Sequence, residues 1–468
     1  MDEGLLERLA AIVGARNVVT DADAMAPYLK EWRNLFHGRS RAVVRPGSTE
    51  EVAEVVRLAA ATGTPLVAQG GNTGLVGAQI PVAEGRELVL SLQRLDKVRA
   101  ADPDGNTMTV EAGVTLLRAQ EAAEAVGRLF PLSLPSEGSC TIGGNLSTNA
   151  GGTAVLAYGN ARELCLGLEV VLADGRIWNG LRRLRKDNTG YDLKDLFIGA
   201  EGTLGIVTAA VLKLFPRPAA RATAFLAVPD PHAALALLNL ARQAGGGTVT
   251  SFELMPRVGL EFVLRHAQNV RDPLAEASPW YVLIEVSAQS ASGLDEAFEA
   301  LLAEAMEHGL VTDAAIAGSL EQRAAFWRLR EMLSEVQGIE GGSIKHDVSV
   351  PVKDVPAFLE RAIARMHELV PGCRPVPFGH LGDGNIHFNI SQPVGADKQA
   401  FLARWNELSG AVHGIVQDME GSISAEHGIG RLKRHMLVEV KDPVELSLMR
   451  TLKQALDPQG ILNPGSLL

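Results

Sequence analysis

The segment "FGHLGDGNIHFNI", residues 378–390, carries His380 and His387 seven positions apart around a glycine-rich stretch. Neutral imidazole is the commonest metal ligand among side chains and the one best suited to exchange a proton near neutral pH. On one uninterrupted strand the odd spacing would send the two rings to opposite faces, because side chains alternate with a period of two. Gly382 and Gly384 permit a reversal within residues 381–385, which ends one strand at His380 and puts His387 on the next, both imidazoles aimed at a common point. Asn389, two residues beyond His387, shares its face. Glycines elsewhere suit a different ligand. The stretch "PLVAQGGNTGLVGAQIP", 65–81, allows positive φ and can present successive N–H groups to an anion. It has neither the GxxxxGK[ST] nor the G-x-G-x-x-G order, so the P-loop and Rossmann readings do not apply. "IGGNLSTNAGG", 142–152, adds the short polar side chains of Asn145, Ser147, Thr148 and Asn149, and "GAEGTLGIV", 199–207, is a third small-residue cluster. Three such clusters at strand ends fit a long ligand with a pyrophosphate in its middle, a dinucleotide rather than a mononucleotide.

The elements that must position these residues are legible in outline. A chain of 468 residues exceeds a single ordinary core, so two or three domains are expected. With 46% hydrophobic and 21% charged residues and a net charge of −11, it reads as globular, and the charge argues against a nucleic-acid partner. No basic-then-apolar leader opens the sequence, and no apolar run reaches membrane-spanning length. Cys140, Cys165 and Cys373 form no CxxC pair, as expected of a reduced, cytoplasmic compartment. "AVVRPGSTEEVAEVVRLAAATGTPLVAQGG", 42–71, predicts strand, helix and strand, with Ser48 and Glu51 as a capping box and Gly63 as the stop. A composition change near residues 216–220 marks a boundary. Beyond it, strands near 223–228, 249–254 and 281–287 alternate with helices near 231–244 and 294–307. This gives a second α+β domain, a sheet with helices packed mainly on one face. The expected domains are 1–217, 218–455, and a tail, 456–468, returning to the first.

Seven motifs then stand in a fixed order: "VVRPGSTEEVAEVVRLA", "QGGNTGLVGAQIP", "GSCTIGGNLSTNAGG", "LKDLFIGAEGTLGIVT", "FGHLGDGNIHFNI", "SAEHGIG" and "GILNPG". In these the chain resembles the FAD-linked D-2-hydroxyacid dehydrogenases of the vanillyl-alcohol oxidase superfamily over nearly its whole length, most of all the D-2-hydroxyglutarate dehydrogenases. The resemblance implies an α+β fold, with a two-subdomain FAD-binding domain and a cap domain built on an antiparallel sheet flanked by helices. It implies that Gln69, Gly70, Gly71, Asn72, Thr73, Gly74 and Leu75 cradle the FAD pyrophosphate. Gly143, Gly144, Asn145, Thr148, Asn149, Gly152, Ile206 and Asn463 would line the rest. Noncovalent FAD is expected, since the loops at 65–81 and 199–208 hold no His or Cys and Cys140 is the one candidate in the second loop.

Beside the histidine pair, Glu426 in "SAEHGIG" is the expected third ligand, an N₂O set for a divalent metal with open positions, zinc above all. His427 next to it would face the substrate hydroxyl and take its proton. Arg330, Ser334 one turn later on the same helix face, and Lys345 would bind a distal carboxylate. Relatives carry Thr where this chain has Ser334, and many carry Lys where it has Ser466. The expected reaction is oxidation of a D-2-hydroxy acid, first of all D-2-hydroxyglutarate, with Asn389 orienting the acid, hydride passing to flavin N5 and electrons leaving to a carrier protein or quinone. A homodimer is expected. D-lactate dehydrogenase and the FAD subunit of glycolate oxidase are the near alternatives. A metallohydrolase is the alternative of another class.

Overall fold

The computed structural model describes residues 3–468. The chain divides into two compact units, the first comprising Met1–Gly152, Gly159–Pro216 and Glu426–Leu468, the second Thr153–Tyr158 and Arg217–Ala425. The sequence-based division places the first boundary after residue 217. The return to the first unit begins at Glu426, however, thirty residues before the expected 456. Glu426, His427 and the helix Pro443–Leu456 thus belong to the first unit.

In the first unit, helix α1 (Thr49–Thr62) starts where Ser48 accepts a hydrogen bond from the Glu51 N–H, and Glu51 reaches back to the Gly47 N–H. It stops at Gly63, which is left-handed at φ 63°. Val52, Val55, Val56 and Ala59 form its buried stripe against Val44, Leu66, Leu88 and Leu90. Burial of each such Val or Leu is worth roughly 1.5–3 kcal/mol. The sheet beneath has four strands, Val18–Val19, Val43–Val44, Leu88–Ser91 and β1 (Leu66–Gln69), the last three parallel. The C-terminal tail extends this edge, with the Leu66 N–H donating to the Ile461 carbonyl and the Asn463 N–H to that of Leu66, each at 2.8 Å. A second, five-stranded antiparallel sheet runs Val98–Asp102, Thr107–Glu111, Ile206–Lys213, Cys165–Val171 and Ile177–Gly180. The short helix α2 (Ile142–Ser147), capped by Thr141, carries the second glycine cluster.

The second unit is built on one antiparallel sheet. Its path runs Asp313–Ile316, Ala220–Val228, Trp280–Ala288, β2 (Thr248–Pro256), β3 (Arg374–His380), β4 (Asn385–Ser391) and Ser343–Ile344, and Val348–Ser349 also pairs with β4. Both faces are covered, where helices were expected mainly on one. Ala224, Leu226, Leu254, Ile284 and Phe388 point to the face packed by the helices Pro231–Gln243, Leu294–Glu307, Val355–Leu369 and Trp405–Asp418. Phe225, Ala227, Met255, Tyr281, Leu283 and Phe378 point the other way, to Arg257–His266 and α3 (Leu320–Val336). Strand after strand is apolar on both sides, the signature of a sheet buried on two faces.

Candidate active site

In the first unit the three glycine clusters come together. β1 ends at Gln69, and the chain then passes so close to residues 139–144 that a Cβ on Gly70 would lie 2.3 Å from Thr141 Oγ1, and one on Gly71 1.9 Å from the Ser139 carbonyl. Only glycine fits at either position. The third cluster is tied to α2 by the Gly199 and Glu201 N–H groups, which donate to the carbonyls of Leu146 and Ser147. Arg162 joins the same region: its N–H donates to Asn149 Oδ1 and its guanidinium to the carbonyls of Asp195 and Ile198. Asn72, Asn149 and Asn463 have positive φ, 55°, 52° and 44°, a conformation Asn tolerates better than most residues.

Three carboxamides here use only one end. Gln69 Nε2 donates to the carbonyls of Tyr28 and Gln79, Asn72 Nδ2 to those of Pro27 and Lys30, and Asn463 Nδ2 to that of Glu201. Their oxygens are buried and, among the described residues, have no hydrogen-bond partner. Buried acceptors are normally satisfied. Three orphans around one glycine-lined cradle suit a polar ligand with O–H and N–H groups, and FAD is such a ligand. Thr148 caps the end of α2 through the Gly144 carbonyl, and Ile206 opens its strand buried. Cys140 is buried, and burial pushes its thiol pKa up, so it is a poor nucleophile.

The loop carrying Glu426 and His427 is anchored within the same unit. Glu201, in the third cluster, accepts from the N–H groups of Ile429 and Gly430 at 2.7 and 2.8 Å. Burial pushes this carboxyl up, opposed by those two amides and by Lys433. Glu426 Oε1 lies 3.7 Å from His427 Nε2.

In the second unit the hairpin forms as the spacing suggested. β3 and β4 pair with Phe378 opposite His387 and His380 opposite Asn385, so both histidines share a face. Their rings meet edge to face with centroids 5.8 Å apart. The two glycines of the turn have different reasons. Gly384 is left-handed at φ 81°, and a Cβ there would lie 2.1 Å from the Val350 carbonyl. Gly382 has no positive φ; it makes room for Leu156, whose Cδ2 would be 2.8 Å from an added Cβ. Asn389 is buried on the same strand face as His387.

Two carboxylates that sequence reasoning missed stand beside these rings. Asp347 is 2% exposed, accepts from Asn385 Nδ2 at 2.9 Å, and lies 3.8 Å from His387 Nδ1. Glu253, fully buried on β2, is paired by strand register with His380, and its Oε1 is 2.6 Å from His380 Nδ1. Its Oε2 accepts from Arg330 Nε at 2.7 Å. Burial would raise the Glu253 carboxyl, but the charges of His380 and Arg330 outweigh that and hold it at about 2. Arg330, buried on α3, spreads its guanidinium over the Phe378 ring at 4.8 Å. Ser334 lies one turn further along α3, and Lys345 Nζ donates to the Ser334 carbonyl at 2.9 Å. Arg330, Ser334 and Lys345 are thus gathered at one end of α3, with Arg330 joined to His380 through a single carboxylate.

Comparison with known proteins places this arrangement among flavoproteins. Residues 217–467 match the family described as FAD linked oxidases, C-terminal domain, and residues 40–180 match the FAD binding domain. The chain is 39% identical to D-2-hydroxyglutarate dehydrogenase of Xanthomonas citri pv. viticola, covering 98% of this chain and 96% of that one. It is 36% identical to that of Stutzerimonas stutzeri (100% and 99% covered), and 36% identical to the mitochondrial enzyme of Arabidopsis thaliana (98% and 80%). Among solved structures it is similar to p-cresol methylhydroxylase with substrate bound, at TM-score 0.75 and 17% identity over 99% of this chain and 96% of that one. An alkyldihydroxyacetonephosphate synthase matches at TM-score 0.75 and 18% identity over 99% and 85%. These likenesses to solved structures show a shared fold.

Proposed function

Since the chain belongs to the family of FAD-linked oxidases, we propose that it is an FAD-dependent dehydrogenase that oxidises a D-2-hydroxy acid to the 2-oxo acid, with D-2-hydroxyglutarate as the preferred substrate. One observation carries the choice of a dicarboxylate: Arg330, Ser334 and Lys345 gather at one end of α3, and Arg330 shares Glu253 with His380. An acid held at its hydroxyl end near His380 would then have cations for its far carboxylate.

When bound, FAD supplies a hydride acceptor and a divalent metal supplies a Lewis acid that lowers the pKa of a bound hydroxyl. The chain's own residues do the rest. FAD is held noncovalently by residues 69–75, by Gly143, Gly144, Asn145, Thr148, Asn149, Gly152 and Ile206, and by Asn463. His380, His387 and Glu426 hold the metal, and zinc suits two imidazoles and a carboxylate best. What supports this reading is that the Glu253 carboxylate meets His380 at Nδ1, which favours Nε2 as its coordinating atom, and that Asp347 lies 3.8 Å from His387 Nδ1. Glu426 follows Ala425 in the chain, whose N–H donates to the Asp347 carbonyl at 3.3 Å. Asn389 orients the acid, and His427 removes the hydroxyl proton. Electrons leave to a carrier protein or quinone, and the protein is a cytoplasmic homodimer. Three buried thiols without a disulfide fit that address.

Dye-coupled turnover of D-2-hydroxyglutarate, D-lactate, D-malate and glycolate tests the reading. The highest kcat/KM should fall on D-2-hydroxyglutarate and collapse on chelation of the metal. A preference for D-lactate would overturn the substrate assignment, and a colourless protein that hydrolyses esters or amides would overturn the reaction class.

A further inference from the structure

The Glu253 carboxylate divides its two oxygens between two functional side chains. Oε1 meets His380 Nδ1 at 2.6 Å, and Oε2 meets Arg330 Nε at 2.7 Å. A second arginine on the same helix shows what an undivided pair looks like. Arg323 grips Glu285, on the strand Trp280–Ala288, with a two-pronged contact, Nε to Oε2 at 2.6 Å and Nη2 to Oε1 at 3.1 Å. Glu285 Oε2 also accepts from the hydroxyl of Thr223 and the indole of Trp327. Both pairs fasten α3 to the sheet, but only Glu253 gives up the fork geometry that makes arginine–carboxylate contacts strong. The oxygen released by that choice goes to the histidine.

We propose that Glu253 is a positioning residue coupling metal binding to substrate recognition. Resting on the reading of His380 and Arg330 given above, it does two things. It fixes the proton of His380 on Nδ1, which leaves the Nε2 lone pair for a metal. It also occupies the Nε–H edge of Arg330, so that the two Nη groups are the donors left to meet a substrate carboxylate. A bound dicarboxylate and a bound metal therefore both depend on one buried charge that touches neither.

The test compares Glu253→Gln with Glu285→Gln in the holoenzyme, with flavin content and melting temperature measured for both. Glu253→Gln should release its metal to a chelator at a concentration roughly 10- to 100-fold lower than wild type. The ratio of KM for D-2-hydroxyglutarate to KM for D-lactate should rise about tenfold. Glu253→Asp should restore part of both, and Glu285→Gln should change neither, whatever it does to the melting temperature. Nitrogen-15 shifts of His380 in chelated protein give a readout free of metal and turnover: a protonated Nδ1 in wild type, and a mixture of tautomers in Glu253→Gln. If both variants lose metal in proportion to their loss of melting temperature, or if Glu253→Gln leaves metal retention, the KM ratio and the tautomer unchanged, the coupling role is overturned. Wild-type protein that never retains metal refutes the metal site itself. The coupling role then stands or falls on the tautomer and the KM ratio.

Discussion

A carboxylate with no exposure, such as Glu253, is tolerated only because a cation or N–H donor faces each oxygen. Asp347 is nearly as buried, and its Oδ1 accepts from Asn385 Nδ2. Replacing His387 by Ala removes an imidazole from the hairpin of the second unit, and the glycine clusters belong to the first. Bound metal should drop to about one-tenth or less of wild type by elemental analysis, with the flavin-to-protein ratio unchanged. Loss of both together would contradict the assignment of the two ligands to separate residue sets. Ser334→Ala should raise KM for D-2-hydroxyglutarate about fivefold, the value of one net hydrogen bond of about 1 kcal/mol, without changing kcat. The hairpin bearing His380 and His387 was legible because a glycine-rich turn splits the segment, whereas Glu426, Arg330, Ser334 and Lys345 were expected chiefly from the resemblance. Glu253 and Asp347 were expected from neither. Glu253 is a lone acid in an apolar strand and meets His380 only through pairing across 127 positions, and Asp347 lies between the short strands Ser343–Ile344 and Val348–Ser349, in no motif.

The elements that aim these side chains are a hairpin and one helix. Gly384→Ala puts a side chain into left-handed backbone and a Cβ 2.1 Å from the Val350 carbonyl. Strain of this kind costs about 1–3 kcal/mol, so the melting temperature should fall and metal retention weaken with it, as calorimetry and chelator titration would register. Near the far end of the hairpin, Glu340 ties the helix Arg257–His266 to the start of β3 through Arg374, His266 and Arg265. Its burial works against ionisation, yet hydrogen bonds from those three hold its carboxyl down to about 2. A depressed carboxyl contributes stability that is complete above its ordinary value and is lost as pH falls toward the folded one. Unfolding monitored from pH 5 to 2 should therefore show a stability loss that is smaller in Glu340→Gln; equal slopes would show the clamp contributes nothing. The strand-turn-strand reading held because a period-two pattern interrupted by glycines admits few alternatives. The second helical layer was missed although strands such as Ala220–Val228 are apolar at every position from Ala224 to Val228, the pattern of a strand buried on two faces; a run that short carries no periodicity to separate it from a buried helix segment.

At the scale of the whole chain, length led to an expectation of two or three domains and the composition change to a boundary near residue 216, while nothing in the sequence marked a return at Glu426. Residues 426–468 join the first unit through contacts with no local signature, among them Glu201 accepting from Ile429 and Gly430, and Lys453 donating to the carbonyls of Thr203 and Leu462. Those contacts place residues 426–430 on the same unit as the glycine clusters, and the histidine hairpin belongs to the other. On the proposed function, flavin is held by residues of the first unit and substrate is recognised mainly by residues of the second. Mixing the FAD-loaded protein anaerobically with D-2-hydroxyglutarate, without any electron acceptor, tests this most directly. The account predicts that the visible flavin absorbance bleaches with one equivalent of the D acid, persists with the L acid, and persists with the D acid after chelation of the metal. Flavin that stays oxidised with D-2-hydroxyglutarate, D-lactate, D-malate and glycolate alike would contradict it.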